Sequence, residues 1–123
     1  MKKELFVPFD RNGNMLDWVW HPLTQTEEEI CKKDGQFRKE NCIFVPNFEF
    51  EDVLVFTHFS RGRSSVKAHF RSKYTEVKYE MFISDFEDVL KNNRIGNAYV
   101  KGKFTFVKKG ANYGVKLCDM EDV

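Results

Sequence analysis

Residues 53–83 read Val-Leu-Val-Phe-Thr-His-Phe-Ser-Arg-Gly-Arg-Ser-Ser-Val-Lys-Ala-His-Phe-Arg-Ser-Lys-Tyr-Thr-Glu-Val-Lys-Tyr-Glu-Met-Phe-Ile, and this stretch decides the fold. Apolar and polar residues alternate through three segments, 53–59, 64–71 and 75–83, with the two-residue period of half-buried strands. Ser60-Arg61-Gly62-Arg63 joins the first two and Ser72-Lys73-Tyr74 the next two. Pairing Val53 with Phe70 sets Val55 opposite Ala68 and Thr57 opposite Val66. Pairing Phe70 with Thr75 sets Ala68 opposite Val77 and Val66 opposite Tyr79. One register then keeps the apolar set on one face, which an antiparallel meander with one wet side requires. In that register His58 faces Ser65 and His69 faces Leu54, so the two histidines are not partners.

Downstream, Ser84 followed by Glu87 reads as a capping box, with Asp85 and Asp88 in the first turn of a helix. Phe86, Val89 and Leu90 share a stripe that would cover the sheet, and Asn92, Asn93 and Gly96 stop the helix. A last hairpin spans residues 98–107 and 112–118 around Lys108-Lys109-Gly110-Ala111, with Phe106 meeting Tyr113 and Phe104 meeting Val115. Upstream, all three prolines (Pro8, Pro22, Pro46) fall within residues 1–48, a segment of different texture. Residues 5–9 and 15–20 flank Asn12-Gly13 and suggest a hairpin whose first strand is held to an edge by Pro8. Thr26 with Glu29 suggests the cap of a short helix that Lys32 and Lys33 favour at its other end and Gly35 terminates. Residues 36–48 read as irregular. The expected fold is α+β in one domain, 1–123: an irregular N-terminal segment, 1–48, and a sheet-and-helix core, 49–123. That core holds about five antiparallel strands, a meander plus a C-terminal hairpin, with one main helix packed on one face.

The chain has 123 residues, 20 Lys+Arg, 19 Asp+Glu and a formal net charge of +1, with aromatics at 15%. So many aromatics repay the entropy of folding and exclude a disordered chain. No apolar run approaches the ~20 residues of a membrane span, and Met1-Lys2-Lys3-Glu4 lacks the apolar stretch of a signal peptide. Cys31, Cys42 and Cys118 are odd in number and show no C-x-x-C pair, which fits reduced thiols rather than a disulfide framework or zinc site. His21, His58 and His69 show no metal spacing, and no cofactor motif is present. A cytoplasmic protein without membrane, metal or cofactor is expected. The near-zero charge excludes a protein that coats nucleic acid with its whole surface.

By position the charge is uneven. Residues 61–73 hold five cations and no acid, whereas residues 1–30 hold three cations and six acids. If Val66, Ala68 and Phe70 point inward, then Lys67, His69 and Arg71 point outward beside Glu76, Lys78 and Glu80, and Lys101, Lys103 and Lys116 point outward from the last hairpin. Arg61, Arg63, Lys67, His69, Arg71, Lys73, Lys101 and Lys103 are therefore the candidate binding residues, a basic strand face near aromatics of the kind that holds a phosphate backbone. A solvated face that merely keeps edges unpaired accounts for the same charges. Trp18 and Trp20 suit either core packing or a protein-contact anchor. Glu76-Val77-Lys78 has the E-x-K spacing of metal-dependent nucleases, with Asp52 as the one acid to complete it.

The motifs Ser60-Arg61-Gly62-Arg63-Ser64-Ser65, Tyr79-Glu80-Met81-Phe82-Ile83-Ser84-Asp85-Phe86 and Phe104-Thr105-Phe106-Val107-Lys108-Lys109-Gly110-Ala111-Asn112-Tyr113-Gly114 give residues 49–118 a character that resembles small uncharacterised proteins of tailed bacteriophages. The resemblance carries no catalytic residues. It implies a setting in the cytoplasm of a bacterial host, where such proteins bind nucleic acid or host factors. The expectation is a non-enzymatic binding module for nucleic acid or another phosphate-rich surface. The alternative is a protein that inhibits or redirects a host enzyme by direct contact, and a metal-dependent nuclease comes third.

Overall fold

The computed structural model describes residues 4–62, 66–91, 95–96 and 98–118. In chain order the elements are β1 (Phe6–Phe9), α1 (Gln25–Asp34), β2 (Phe37–Lys39), β3 (Cys42–Pro46), β4 (Phe50–Arg61), β5 (Val66–Ser72), β6 (Lys78–Phe82), α2 (Ile83–Lys91), β7 (Ile95–Gly96), β8 (Tyr99–Lys109) and β9 (Asn112–Leu117). All strand pairs are antiparallel, and the fold is α+β. The main sheet runs β6-β5-β4-β8. β8 pairs with β4 through its first half, with β9 through its second half, and with the two-residue β7 at its start.

Leu54, Ala68, Phe70, Met81, Val100, Phe104, Phe106, Val115 and Leu117 are buried on the inner face of this sheet. Helix α2 lies against β5, β6 and β9. Its Phe86 ring stacks on Phe56 at 5.5 Å and meets Phe70 edge-on at 5.8 Å, and Val89 is fully buried. Leu90, expected on the same stripe, is 48% exposed. Ser84 lies in the first turn of α2 rather than before it. Asn92 and Asn93, the expected stop, lie outside the described residues.

The sheet curls until β9 approaches β6, and Gly114 permits that approach. A Cβ there would sit 2.9 Å from Cε2 of Phe82 and 3.2 Å from the carbonyl oxygen of Glu80. Gly114→Ala should therefore destabilise the protein by about 1–3 kcal/mol, the range for overpacking a filled site. Gly96→Ala, with no atom within 4 Å of the new methyl, is the matched control in thermal denaturation. Equal losses in the two variants would contradict the close approach.

Three expected registers change. β5 and β6 pair Phe70 with Tyr79 rather than Thr75, and β8 and β9 pair Phe106 with Val115 rather than Tyr113, leaving only Gly110 and Ala111 in the turn. Both are shifts by an even number of residues, so the expected faces survive. β4 and β5 pair Phe56 with Phe70, and the ladder is interrupted by a bulge between Phe56 and His58. Here the shift before the bulge is odd. Leu54 and Phe56 face the core, and Val53 and Val55 point outward.

The N-terminal segment is more regular than its sequence suggests. Residues 36–48, expected to be irregular, supply β2 and β3, and the smaller sheet has the order β1-β3-β2. Cys42 and Phe44 are buried while Ile43 and Val45 are half-buried, so β3 is covered on both faces and shows no alternation. The Asn12-Gly13 turn forms, with Asp10 Oδ1 accepting from the N–H groups of Asn12 and Asn14 and Gly13 at φ 84°. Beyond it only the Phe9–Met15 bridge forms, and β1 takes β3 as its partner instead. Pro8 accordingly lies in an edge strand. Helix α1 is capped by Thr24 with Glu27, two residues before the expected box, and ends at Gly35 in the left-handed region. Glu27 Oε1 also accepts from Lys39 Nζ at 2.7 Å, and this bond, with the capping contacts, holds its pKa below the ordinary value.

Val7 and Met15 join the core cluster of the main sheet. The side chain of Asn47 clamps β8, donating through Nδ2 to the Phe106 carbonyl at 3.0 Å and accepting from the Phe106 N–H at 3.2 Å. Cys31 and Cys42 are buried free thiols whose pKa burial pushes up, and the half-buried Cys118 donates through Sγ to the Lys103 carbonyl at 3.1 Å. Among the described residues no helix is long and apolar enough to cross a membrane.

Candidate functional site

The outer face of the main sheet carries two adjoining features, an open basic row and a polar cavity. The row follows from cross-strand register. Lys78 pairs with Arg71, Arg71 with Val55, and Val55 with Tyr99, so these four residues cross β6, β5, β4 and β8 in line. At the usual strand spacing the row is roughly 14 Å long. Lys101 and Lys103 continue it along β8, paired with Val53 and Glu51. Lys73, in the turn after β5, sets its Nζ 5.2 Å from the Tyr99 ring centroid and 5.9 Å from that of Tyr74, which is 72% exposed. Arg71, Lys73, Lys78 and Lys101 are exposed and form no ion pair among the described residues. Lys103 makes one long contact, 3.9 Å to Glu49.

The N-terminal segment leaves this row open and covers the other end of the face. Lys67, expected to point into solvent, is 8% exposed. Its Nζ lies 3.2 Å from Asp17 Oδ2 and 3.5 Å from Glu80 Oε1, and 5.4 Å from the Phe82 ring centroid. It is therefore committed to an ion cluster and withdrawn from the expected phosphate set. The cause is Asp17, delivered by a loop fifty residues earlier and fixed there by the Tyr113 N–H donating to the Asp17 carbonyl at 2.9 Å.

The bulge overturns the separation of the histidines. His58 pairs with His69 across the strands, and their rings stack at 4.4 Å and 4°. His69 Nε2 shares a 2.5 Å hydrogen bond with Ser60 Oγ, and Thr57 Oγ1 bonds His58 Nδ1 at 2.9 Å. Burial first, then the positive charges of His58 and Lys67, push the His69 pKa down. Burial, then the neighbouring Asp17 charge, push that of Glu80 up, with Lys67 opposing. Glu80 sits opposite His69 across the strands.

These groups border a cavity of about 370 Å³ between the loop carrying Asp17 and Trp18, the ends of β4 and β5, and the β8–β9 turn. Arg61 lies exposed at its wall. Arg63 lies outside the described residues. Trp18 and Trp20, at 42% and 78% exposure, pack edge-to-face at 4.6 Å on the surface rather than in the core. The E-x-K strand geometry is not formed. Glu76 occupies the turn before β6 at φ 64°, and Asp52, on the inner face, accepts from the Ser72 hydroxyl and the Val53 N–H. Among the described residues no three His, Cys, Asp or Glu converge to hold a metal ion.

Ser60, His58 and Asp17 were not singled out from sequence as site residues. A hairpin turn placed between Arg61 and Val66 pairs His58 with His69 directly, so the signal was present in the turn position. For Asp17 no local signal exists. Compared with known proteins, the chain matches no family model, no curated protein and no solved structure.

Proposed function

We propose that the protein binds single-stranded nucleic acid across the outer sheet face, without catalysing a reaction on it. One observation carries this reading: Arg71, Lys73, Lys78 and Lys101, free of ion pairs among the described residues, share an open strand surface with the exposed Tyr99, whose ring Lys73 approaches. Guanidinium and ammonium groups neutralise phosphates while a tyrosine ring stacks a base, and neither contact needs a particular sequence. Taken with the resemblance to proteins of tailed bacteriophages, the proposed setting is the cytoplasm of an infected bacterium.

The test is fluorescence anisotropy with a labelled homopyrimidine oligonucleotide at several salt concentrations. Four phosphate contacts predict a slope of log affinity against log salt of about −3. Arg71→Ala with Lys101→Ala should lower affinity and reduce the magnitude of that slope by about 1.5. Tyr99→Ala should cost about 1–3 kcal/mol of binding and leave the slope unchanged. Affinity indifferent to salt contradicts the proposal.

A second reading rests on the exposed Trp18–Trp20 pair, which suits an anchor for a host protein. Retention of one protein in stoichiometric amount from nuclease-treated bacterial lysate, lost with Trp20→Ala, would favour it over the first.

A further inference from the structure

The cavity beside the basic row brings together chemistry that the row does not use. Trp18, which packs edge-to-face against Trp20, is among the residues that line it. Asp17, Glu80, Asn112 and Ser60 also line it, residue types that supply a mixture of hydrogen-bond donors and acceptors. Arg61 adds a guanidinium with no ion pair among the described residues. The volume, about 370 Å³, falls within the roughly 300–1,000 Å³ of small-molecule sites. The polar lining is also costly to the fold. Lys67 is a buried cation that needs two carboxylates, and an apolar replacement of such a cluster is commonly neutral or stabilising. A fold with no use for this cavity would gain by filling it.

We infer that this cavity is a nucleotide pocket, in which a base stacks on Trp18 and is read along its edge by Asp17 and Asn112 while its phosphate meets Arg61. A flat ring with donors and acceptors on its rim and an anion on its flank engages Trp18, Asp17, Asn112 and Arg61, while Glu80 stays with Lys67 and Ser60 with His69. A neutral sugar would leave Arg61 unused. The inference does not depend on nucleic-acid binding by the basic row. The lowered pKa of His69 keeps that imidazole neutral beside Ser60, suited to hydrogen bonding rather than to a second fixed charge.

A free nucleotide and the end of a strand share this chemistry, and calorimetry with the purified protein separates the two. Wild-type protein is titrated with nucleoside 5′-monophosphates, with the matching nucleosides, with glucose, and with a short oligonucleotide bearing or lacking a 5′-phosphate. Saturable binding of a monophosphate is expected, weakened about tenfold or more by Trp18→Ala and by Arg61→Ala. Arg61→Ala should leave nucleoside affinity unchanged, because it removes only the phosphate contact. If monophosphates fail but the 5′-phosphorylated oligonucleotide binds more tightly than its unphosphorylated form in an Arg61-dependent way, the occupant is a strand end. Failure of both up to millimolar concentrations overturns the inference, as does binding of glucose in their place. Both substitutions are at exposed positions, and unchanged melting temperatures confirm that the variants fold. Loss of oligonucleotide binding in Arg71→Ala with Lys101→Ala, with monophosphate binding intact, separates the row from the pocket.

Discussion

Phe70→Ala should lower stability by about 3–5 kcal/mol and the melting temperature by more than about 10 °C. Phe70 is buried at the centre of β5, with Phe56 opposite on β4 and Tyr79 opposite on β6. Its ring also meets Phe86 edge-on, so it is a large side chain on which α2 rests. Truncation removes the ring's own burial and opens a void beneath the helix. Phe86 is anchored by Phe56 and Phe59 as well and cannot collapse into it without losing those contacts. Phe59, which is 51% exposed, provides the comparison: Phe59→Ala should cost about 1 kcal/mol. Urea denaturation of both variants measures the difference. A loss below about 1.5 kcal/mol for Phe70→Ala would mean that the ring is not packed as described.

Lys67→Ala should cost about 2–3 kcal/mol at neutral pH, below the roughly 3–5 kcal/mol of fully buried pairs because Asp17 remains in contact with solvent. The variant leaves Glu80, raised already by burial and by Asp17, without the cation that opposes both effects. The direction with pH follows. A carboxyl whose folded-state pKa is raised contributes stability that is fully present below its ordinary value near 4.5 and is lost as pH rises through the folded-state value. Removing Lys67 raises the folded-state value further, so the loss should be larger at neutral pH than near pH 4.5. Adding Glu80→Gln to Lys67→Ala should recover part of the neutral-pH loss. A loss independent of pH would show that the three side chains are not coupled.

The fold was legible wherever one face of a strand is wet. β5, β6, β8 and β9 alternate in sequence, and their inward residues are the ones expected except Val66, which is 36% exposed at the start of β5, although two of their registers were not. Alternation specifies register only to within an even number of residues, so those errors moved partners without exchanging faces. In β4 the run Val53-Leu54-Val55-Phe56 is apolar throughout, and alternation could not choose between its two faces. The bulge after Phe56 settled it, and with it the meeting of His58 and His69. β3 escaped notice for the same reason, being covered on both sides.

The candidate site divides along the same line. The sequence by itself determined that cations concentrate between residues 61 and 73, that Arg71 and Lys78 point away from the core, and that one helix follows the meander. These are local properties, fixed by side-chain period and by the absence of acids in that stretch. Only the tertiary structure decided which cations stay available. It carried Asp17 onto Lys67 from a loop distant in sequence, aligned Tyr99 of β8 with Val55, Arg71 and Lys78, and formed the cavity between Trp18 and the strand ends. Contacts between residues far apart in the chain depend on how the sheet curls and on where one extra residue interrupts its ladder, and neither leaves a periodic trace in the sequence.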